Sequence, residues 1–250
     1  MGRIVKYIDK EFNPKEGCTT FRLGTLDHFQ RQPEEDGIGD YLEGLTGIAT
    51  KAGESVTITP ESKGGLFPGL KKGVIKLGPG SSDGPAFMAK AHNCYIYCAT
   101  VYDDWIIPDK SRFPKYDSKF EISNPNMFVS LLGKYFEMDF TLEDVDELSL
   151  ARLSRVPASQ ANVSFYIAWQ KVRYDVKKIS EISQANVMDI NHIPVDDQSK
   201  IFCKPEKYSY QKEIRFVIRP YNRVCGPLGV KITPKTIETN RLNEFLSILR

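Results

Sequence analysis

The sequence predicts an α+β protein with a mixed or antiparallel sheet. Strand-like segments occur near the start, the middle and the end of the chain, whereas two helix-like segments lie together between residues 124 and 155. The clearest strand pattern is at 208–218, where Ile214, Phe216 and Ile218 recur at every second position. We therefore expect one domain spanning residues 1–250, with a helical insertion at about 124–155.

The first half of the chain predicts strands separated by turn-rich segments. A short strand at 4–9 precedes a β-branched and aromatic strand at 19–23, and Gly24 permits a bend after it. Residues 30–53 are polar and glycine-rich, which predicts a long loop or a short helix. A strand at 55–59 follows, and the glycines of 63–84 indicate hairpin turns. The segment 91–101 is dense in β-formers without a breaker, which predicts a central strand covered on both faces.

The second half of the chain predicts two helices, a set of strands and a final helix. Pro125 lies near the start of the first helix, and Thr141 is a natural cap for the second. Trp169 separates two predicted short strands. The predicted ranges are helices at 124–136, 142–153 and 240–250, and strands at 163–167, 172–176, 200–205, 208–218 and 229–233.

Composition indicates an ordinary globular protein. Of 250 residues, 41% are hydrophobic and 26% are charged, and the net charge of +2 neither requires nor excludes a nucleic-acid partner. The charged amino terminus does not resemble a secretory signal, and no apolar run has the length of a membrane span, so we expect a cytoplasmic protein without a membrane partner.

Cysteine and histidine usage argues against a zinc site. The five cysteines are odd in number and scattered, which predicts reduced structural thiols. Cys94 and Cys98 have no second Cys or His pair at ligand spacing, and the three histidines stand far apart in the sequence. We therefore expect no metal.

Three segments carry polar side chains suited to chemistry. On a strand, Gln211 and Glu213 project from one face, where an amide can hold a nucleophile and a carboxylate can stabilise a developing cation. Arg22 alternates with apolar neighbours and, inside a cleft, offers a planar cation suited to phosphate. Thr100 ends the central strand. Each residue also has a plain structural interpretation: solvated polar groups for the first three, and a hydroxyl bonded to a neighbouring carbonyl for Thr100.

In this order, the segments Phe21-Arg22, Tyr97-Cys-Ala-Thr100 and Gln211-Lys-Glu213 resemble the Arg–Ser/Thr–Glu signature of mono-ADP-ribosyltransferases. The resemblance implies a split mixed or antiparallel sheet core with flanking helices, and NAD as co-substrate. Two features depart from the family. Cys98-Ala99-Thr100 stands where Ser-Thr-Ser is usual, and more than a hundred residues separate Thr100 from Gln211.

The resemblance implies a role for each matching residue. Arg22 would bind the diphosphate or the nicotinamide ribose. Thr100, together with Tyr97 of the same motif, would line the nicotinamide pocket. Glu213 would stabilise the oxocarbenium-like transition state as nicotinamide leaves, and Gln211 would position the attacking group. A Gln-x-Glu pair is similar to that of enzymes modifying an amide or a nucleobase.

The residues before this pair suggest a nucleic-acid acceptor, either RNA or single-stranded DNA. Tyr208 and Tyr210 occupy the place of the family's substrate-recognition turn, where aromatic rings stack on unpaired bases. Nearby cations would contact phosphates: Lys204, Lys207, Lys212, Arg215 and Arg219. In the opposing interpretation, the two tyrosines pack on the adjacent loop and the lysines form a solvated face without a ligand.

A second resemblance concerns context. The early Phe21–Leu26 segment, the loop ending in Asp40–Gly44 and the late Tyr210–Ile218 segment are similar to poorly characterised bacterial proteins, some from toxin–antitoxin and phage-defence loci. This implies a toxin or anti-phage effector with a possible antitoxin partner.

Other functions remain open from the sequence. A protein-directed transferase or an NAD glycohydrolase would use much the same residues. A metal-dependent nuclease is less favoured, because Asp103 and Asp104 with Asp36 or Asp40 make too loose an acidic cluster. A non-enzymatic module that binds nucleic acid or a protein partner would not depend on Glu213.

Overall fold

The computed structural model describes residues 2–32, 40, 42–50, 53–58, 75–77, 87–102, 116–174, 179–182, 200–238 and 242–249. The strands are β1 Arg3–Ile8, β2 Thr20–Thr25, β3 Leu45–Thr50, β4 Val56–Ile58, β5 Ile75–Leu77, β6 Phe87–Lys90, β7 Tyr95–Tyr102, β8 Ser118–Ile122, β9 Val163–Lys171, β10 Ile179–Ile182, β11 Glu213–Asn222, β12 Gly226–Pro227 and β13 Lys235–Glu238. The α-helices are α1 Leu26–Arg31, α2 Pro125–Asp139, α3 Glu147–Leu153 and α4 Leu242–Leu246. Short 3-10 helices span Lys10–Phe12, Pro14–Glu16, Leu142–Asp144, Ala158–Gln160 and Glu206–Gln211.

The chain forms two compact units. Unit 1 comprises Met1–Gly39, His92–Val172 and Ser209–Arg250, and unit 2 comprises Asp40–Ala91 and Arg173–Tyr208. None of the described helices is long and apolar enough to span a membrane.

Unit 1 contains an eight-stranded antiparallel sheet. Its main order is β12-β11-β7-β1-β8, with β9 paired to β11, β2 paired to β7, and β13 paired to β2. Together with the helices this arrangement confirms the α+β class. The predicted central strand is β7, which pairs with β11, β1 and β2.

One face of this sheet packs against α2 and α4 in an aromatic core. The side chains of Phe21, Tyr97, Phe128, Phe216 and Phe245 are all buried there. Their ring centroids lie 4.8 to 6.4 Å apart in edge-to-face and tilted pairs, the arrangement that aromatic quadrupoles favour. Strands from all three predicted motifs therefore meet over a single core.

Helix α2 forms where the sequence predicts it. The Asn124 side chain accepts a hydrogen bond from the backbone N–H of Met127, and Pro125 occupies the first turn, where its missing N–H costs nothing. The buried positions recur at helical spacing and face the sheet: Phe128, Leu131, Leu132, Tyr135 and Phe136.

The predicted helix at 142–153 is instead two short pieces. Thr141 begins the 3-10 helix, with its backbone N–H bonded to the Asp144 carboxylate, and Asp146 caps α3 through the N–H of Ser149. The break occurs because Val145 pairs with Val230 and the N–H of Asp146 donates to the carbonyl of Gly229, which takes the backbone out of helical geometry.

Gly229 is closely enclosed by this cap. Its N–H donates to Ser149 Oγ at 2.8 Å, and a Cβ added there would overlap Asp146 Oδ2. We expect Gly229→Ala to lower the free energy of unfolding by about 1–3 kcal/mol, since the overlap strains the helix cap. Chemical denaturation of Gly229→Ala, of Asp146→Ala and of the double variant measures this loss. In an Asp146→Ala background most of the cost should vanish; an equal cost there would contradict the explanation.

Two strand predictions and one helix prediction in unit 1 need correction. Trp169 lies inside β9, because β11 pairs residue by residue with one continuous strand from Val163 to Lys171. The strand predicted at 229–233 is absent; Val230 makes an isolated bridge, and the strand beside β2 is β13, a few residues later. The terminal helix is limited to Leu242–Leu246, since Leu249 bridges to Ile122.

Unit 2 contains a three-stranded sheet of order β10-β3-β6 and the pair β4–β5. Strand β4 confirms the strand predicted at 55–59, while β3 falls in the segment expected to be a loop or short helix. The strand predicted at 200–205 is wrong: residues 200 and 201 are helical, and Cys203 makes only an isolated bridge to Arg173. Most of 63–84 lies outside the described residues, as do residues 175 and 176. In the described part of the strand predicted at 172–176, Arg173 makes only an isolated bridge, so no strand forms there.

Candidate functional site

Gln211 does not lie on the strand with Glu213. The 3-10 helix Glu206–Gln211 precedes β11, and Lys212 between them has a φ of 43°, a left-handed conformation that is rare for lysine. The predicted side-by-side arrangement on one strand is therefore wrong. The Lys212 N–H donates to the carbonyl of Ser209 within the turn, and its own carbonyl accepts from the N–H of Val101, so one hydrogen bond closes this strained turn and the other holds it against β7.

Glu213 and Thr100 lie directly opposite each other. They are paired residues in the antiparallel ladder of β11 and β7, so their side chains project from the same face. Glu213 is 7% exposed, and its Oε1 accepts a 2.6 Å hydrogen bond from Nε of Arg215, which is 1% exposed. This arginine shares the face of Glu213 and stabilises the charged carboxylate.

The edge of β7 away from β11 is divided between two strands. Strand β2 pairs with Tyr95 and Ile96, and β1 pairs with Thr100, Val101 and Tyr102. Both use the same edge, since β11 occupies the other edge from Tyr95 to Thr100. Tyr97, Cys98 and Ala99 lie where β1 and β2 diverge, and we call this place the strand split.

Arg22 projects from the same sheet face as Thr100 and Glu213. Gly24 pairs with Ile96, and Ile96, Cys98 and Thr100 alternate onto one face of β7, as Arg22 and Gly24 do on β2. The Arg22 side chain is exposed, opposite Thr236 of β13. Burial lowers the pKa of His28 in α1, and the positive charge of Arg22 lowers it further.

Tyr97 projects from the opposite face, into the aromatic core. It is 3% exposed, and its hydroxyl has no hydrogen-bond partner among the described residues. Burial raises the pKa of Tyr97 well above its usual value, with Cys98 and Cys18 contributing. The Tyr97 ring therefore lies on the core side of the strand split.

Lys6 is a residue of this region that the sequence reasoning missed. It lies on β1 with its Nζ 4.9 Å from the centroid of the Tyr97 ring. Burial lowers the pKa of Lys6, while Cys98 and Glu213 act in the opposite direction. A signal was present in the sequence: Ile4, Lys6 and Ile8 share one face of the strand, so the lysine interrupts an apolar row.

The two tyrosines of the predicted recognition turn differ in exposure. Tyr210 is 45% exposed, whereas Tyr208 is 5% exposed and contacts two ammonium groups, those of Lys204 at 5.5 Å and Lys207 at 4.9 Å from its ring centroid. Of the two tyrosines, only Tyr210 exposes its ring to solvent.

The predicted phosphate contacts also differ in exposure. Lys207 and Lys212 are exposed, whereas Lys204 and Arg215 are buried and Arg219 lies over the Tyr166 ring.

Asp40 and residues 42–44 lie in a tight turn of unit 2. Asp40 Oδ1 accepts from the N–H of Leu42, and the Asp40 carbonyl accepts from the N–H of Glu43. The buried Glu43 carboxylate lies 3.8 Å from the ammonium of Lys204. The carboxylates of this segment therefore have structural partners within unit 2.

Within the described ranges, no group of three or more His, Cys, Asp or Glu side chains is arranged to hold a metal ion. All five cysteines are free thiols. Asp36, Asp103 and Asp104, considered for a nuclease site, lie outside the described residues.

Comparison with known proteins gives no relative: no family model, no curated protein and no solved structure matches this chain.

Proposed function

We propose that the protein is an NAD-dependent mono-ADP-ribosyltransferase that modifies a nucleic-acid base, in RNA or single-stranded DNA, as a toxin or anti-phage effector. The observation that carries the proposal is the placement of Glu213 opposite Thr100, with Arg22 on the same sheet face beside the strand split. These are the three residue types of the family signature, brought to one face by strands distant in sequence.

The reaction assigns a role to each group. The bond between the ribose anomeric carbon and the nicotinamide nitrogen breaks, and its electron pair leaves with neutral nicotinamide. Glu213 stabilises the positive charge that develops on the ribose. A nitrogen of the acceptor base then bonds to the anomeric carbon and loses its proton. Arg22 binds the diphosphate, Thr100 braces the nicotinamide, and Gln211 positions the acceptor.

Two local features support this assignment. Lys212 is the one non-glycine residue with positive φ in the described part of the chain, and it lies between Gln211 and Glu213. Strained backbone of this kind concentrates at functional sites, because packing must hold it in place. Tyr210, exposed one residue before Gln211, presents a ring on which a base can stack.

The test is incubation of the purified protein with NAD labelled in its adenosine half, together with separate pools of RNA, single-stranded DNA and cell protein. We expect label in one nucleic-acid pool and an equal amount of free nicotinamide. Arg22→Ala should raise the KM for NAD about tenfold or more, since a charge-assisted contact is lost, while Arg155→Ala, at an exposed arginine of unit 1, should not.

The other outcomes discriminate among the alternatives. Label in the protein pool would show that the acceptor is a protein and not a nucleic acid. Free nicotinamide without labelled macromolecule would indicate a glycohydrolase. If NAD is not consumed with any pool, the proposal is wrong.

A further inference from the structure

Strand β9 and the part of β11 that follows Glu213 lie in a basic region of unit 1. The segments 161–172 and 214–234 contain five Lys or Arg residues and no Asp or Glu, although the net charge of the whole chain is only +2. Both segments belong to unit 1, and their strands pair residue by residue. Positive charge is therefore concentrated in this region, as it is on surfaces that bind a polyanion.

One face of this strand pair combines tyrosine rings with a guanidinium group. Tyr166 lies opposite Arg219, and Ser164 lies opposite Tyr221, in the antiparallel ladder. Because Arg219 and Tyr221 follow Glu213 at even spacing along β11, all four side chains project from the same face as Glu213. The central carbon of the Arg219 guanidinium is 5.2 Å from the centroid of the Tyr166 ring, a cation–π contact. We call these four residues the Tyr–Arg surface.

The Tyr–Arg surface is accessible to a ligand. All four of its side chains are partly or fully exposed, and Tyr221 is 37% exposed. Arg215 and Val217, which lie between this surface and Glu213 on the same face of β11, are each only 1% exposed. The strand rises about 26 Å from Glu213 to Tyr221, so a polymer can contact both places, whereas a single nucleotide cannot.

The turn after β11 adds a second arginine on a fixed backbone. Asn222 is fully buried, and its Oδ1 accepts hydrogen bonds from two backbone N–H groups of the turn. Its Nδ2 donates to the carbonyls of Gln160 and Asn162. Arg223 follows directly and is exposed. The turn therefore presents a guanidinium to solvent next to Tyr221 without a loop that must first be ordered.

We infer that the Tyr–Arg surface and Arg223 bind single-stranded RNA on one side of the base that is modified. This inference rests on the proposed function, since it identifies the acceptor polymer that reaches Glu213. Tyrosine rings stack on unpaired bases, and guanidinium groups contact the phosphates between them. Ser164 supplies a hydroxyl for the ribose 2′-hydroxyl, the group by which proteins distinguish RNA from DNA.

The test measures the affinity for a single-stranded RNA of about 12 nucleotides, by fluorescence anisotropy without NAD and over a range of salt concentrations. We expect Tyr221→Thr to raise the Kd about 5- to 100-fold without changing the salt dependence, because it removes a stacked base. Arg223→Gln should weaken binding and lower the slope of log K against log salt by about 0.7, the value for one phosphate contact on a single strand. Two controls in unit 1, Phe12→Thr at a 50% exposed ring and Arg31→Gln at an exposed arginine of α1, should change neither quantity.

A change of probe identifies the chemistry that is recognised. An RNA of the same length without bases should bind more weakly than the intact RNA, and Tyr221→Thr should not weaken it further. DNA of the same sequence should bind at least about threefold more weakly than RNA, and Ser164→Ala should reduce this difference. Equal affinity for RNA and DNA would overturn the assignment to RNA. Equal affinity for the polymer without bases would overturn the role of the tyrosines.

The inference and the proposed function can fail separately. If NAD is consumed and RNA is labelled, but Tyr221→Thr and Arg223→Gln bind RNA as the wild type does, the inference is wrong and the proposed function stands. If both variants lose RNA affinity in a protein that never consumes NAD, the surface is an RNA site and the proposed function is wrong. A lower melting temperature of Tyr221→Thr, together with an unchanged salt slope in Arg223→Gln, would assign Tyr221 to folding and contradict the inference.

Discussion

Replacement of Glu213 by glutamine is expected to reduce turnover of NAD by at least about 100-fold, the usual cost of removing one group that stabilises transition-state charge. Glutamine keeps the size of the side chain and one acceptor oxygen, but it carries no charge to neutralise an oxocarbenium-like ribose. The measurement is kcat for nicotinamide release. In cells, expression of the wild-type protein but not of this variant should arrest growth.

The same substitution also affects stability, because the Glu213 carboxylate is paired with the buried Arg215. Removing one partner of a buried ion pair costs about 3–5 kcal/mol, whereas removing both charges is often nearly neutral. The double variant Glu213→Gln/Arg215→Met should therefore recover most of the lost stability and none of the activity. Recovered activity in that variant would show that Glu213 acts only through folding.

Glu121→Gln is the matched control for this experiment. Glu121 also accepts from an arginine at 2.6 Å, but its partner Arg3 is 36% exposed, and the pair joins β1 to β8. Because exposed pairs contribute about 1 kcal/mol or less, this variant should retain both its stability and its activity. An equal loss of turnover there would indicate that any charge change in the sheet disturbs the enzyme.

The strand pattern of the sequence was sufficient to predict the α+β class and most of the sheet. Apolar residues at every second position predicted the strand that carries Glu213, and segments rich in β-branched and aromatic residues predicted those that carry Arg22 and Thr100. Their pairing could not be deduced locally, because it depends on contacts between residues far apart in the sequence, such as Gly24 with Ile96 and Glu213 with Thr100. The break between Val145 and Asp146 was hidden for the same reason: the partners that end the helix are Val230 and Gly229.

The errors at the site have distinct physical causes. Gln211 was placed on the strand because alternation cannot reveal a positive φ at Lys212, a residue type that seldom adopts one. Tyr208 and Tyr210 are equivalent in composition, yet one is buried and the other exposed, since tertiary packing decides which ring is covered. Lys6 was detectable as a charge within an apolar row, but its relation to Tyr97 depends on how β1 and β7 pair.

Phe128→Ala should lower the free energy of unfolding of unit 1 by about 3–5 kcal/mol. The Phe128 ring is fully buried and contacts four other rings, those of Phe21, Tyr97, Phe216 and Phe245, at centroid distances of 4.9 to 5.7 Å. Its removal leaves a cavity that stiff aromatic neighbours cannot fill. Denaturant unfolding, followed by the fluorescence of the two tryptophans, of which Trp169 lies in β9, measures the change.

The neighbouring residue provides the control for this substitution. Met127 belongs to the same turn of α2 but is 46% exposed, so Met127→Ala should change the stability by no more than about 0.5 kcal/mol. The Phe128 ring packs against Tyr97 and Phe216. These two residues lie three positions from Thr100 and Glu213 on the paired strands β7 and β11. The Phe128→Ala protein should therefore also bind ADP-ribose more weakly under conditions in which it remains folded. Unchanged affinity would show that the site tolerates movement of the core beneath it.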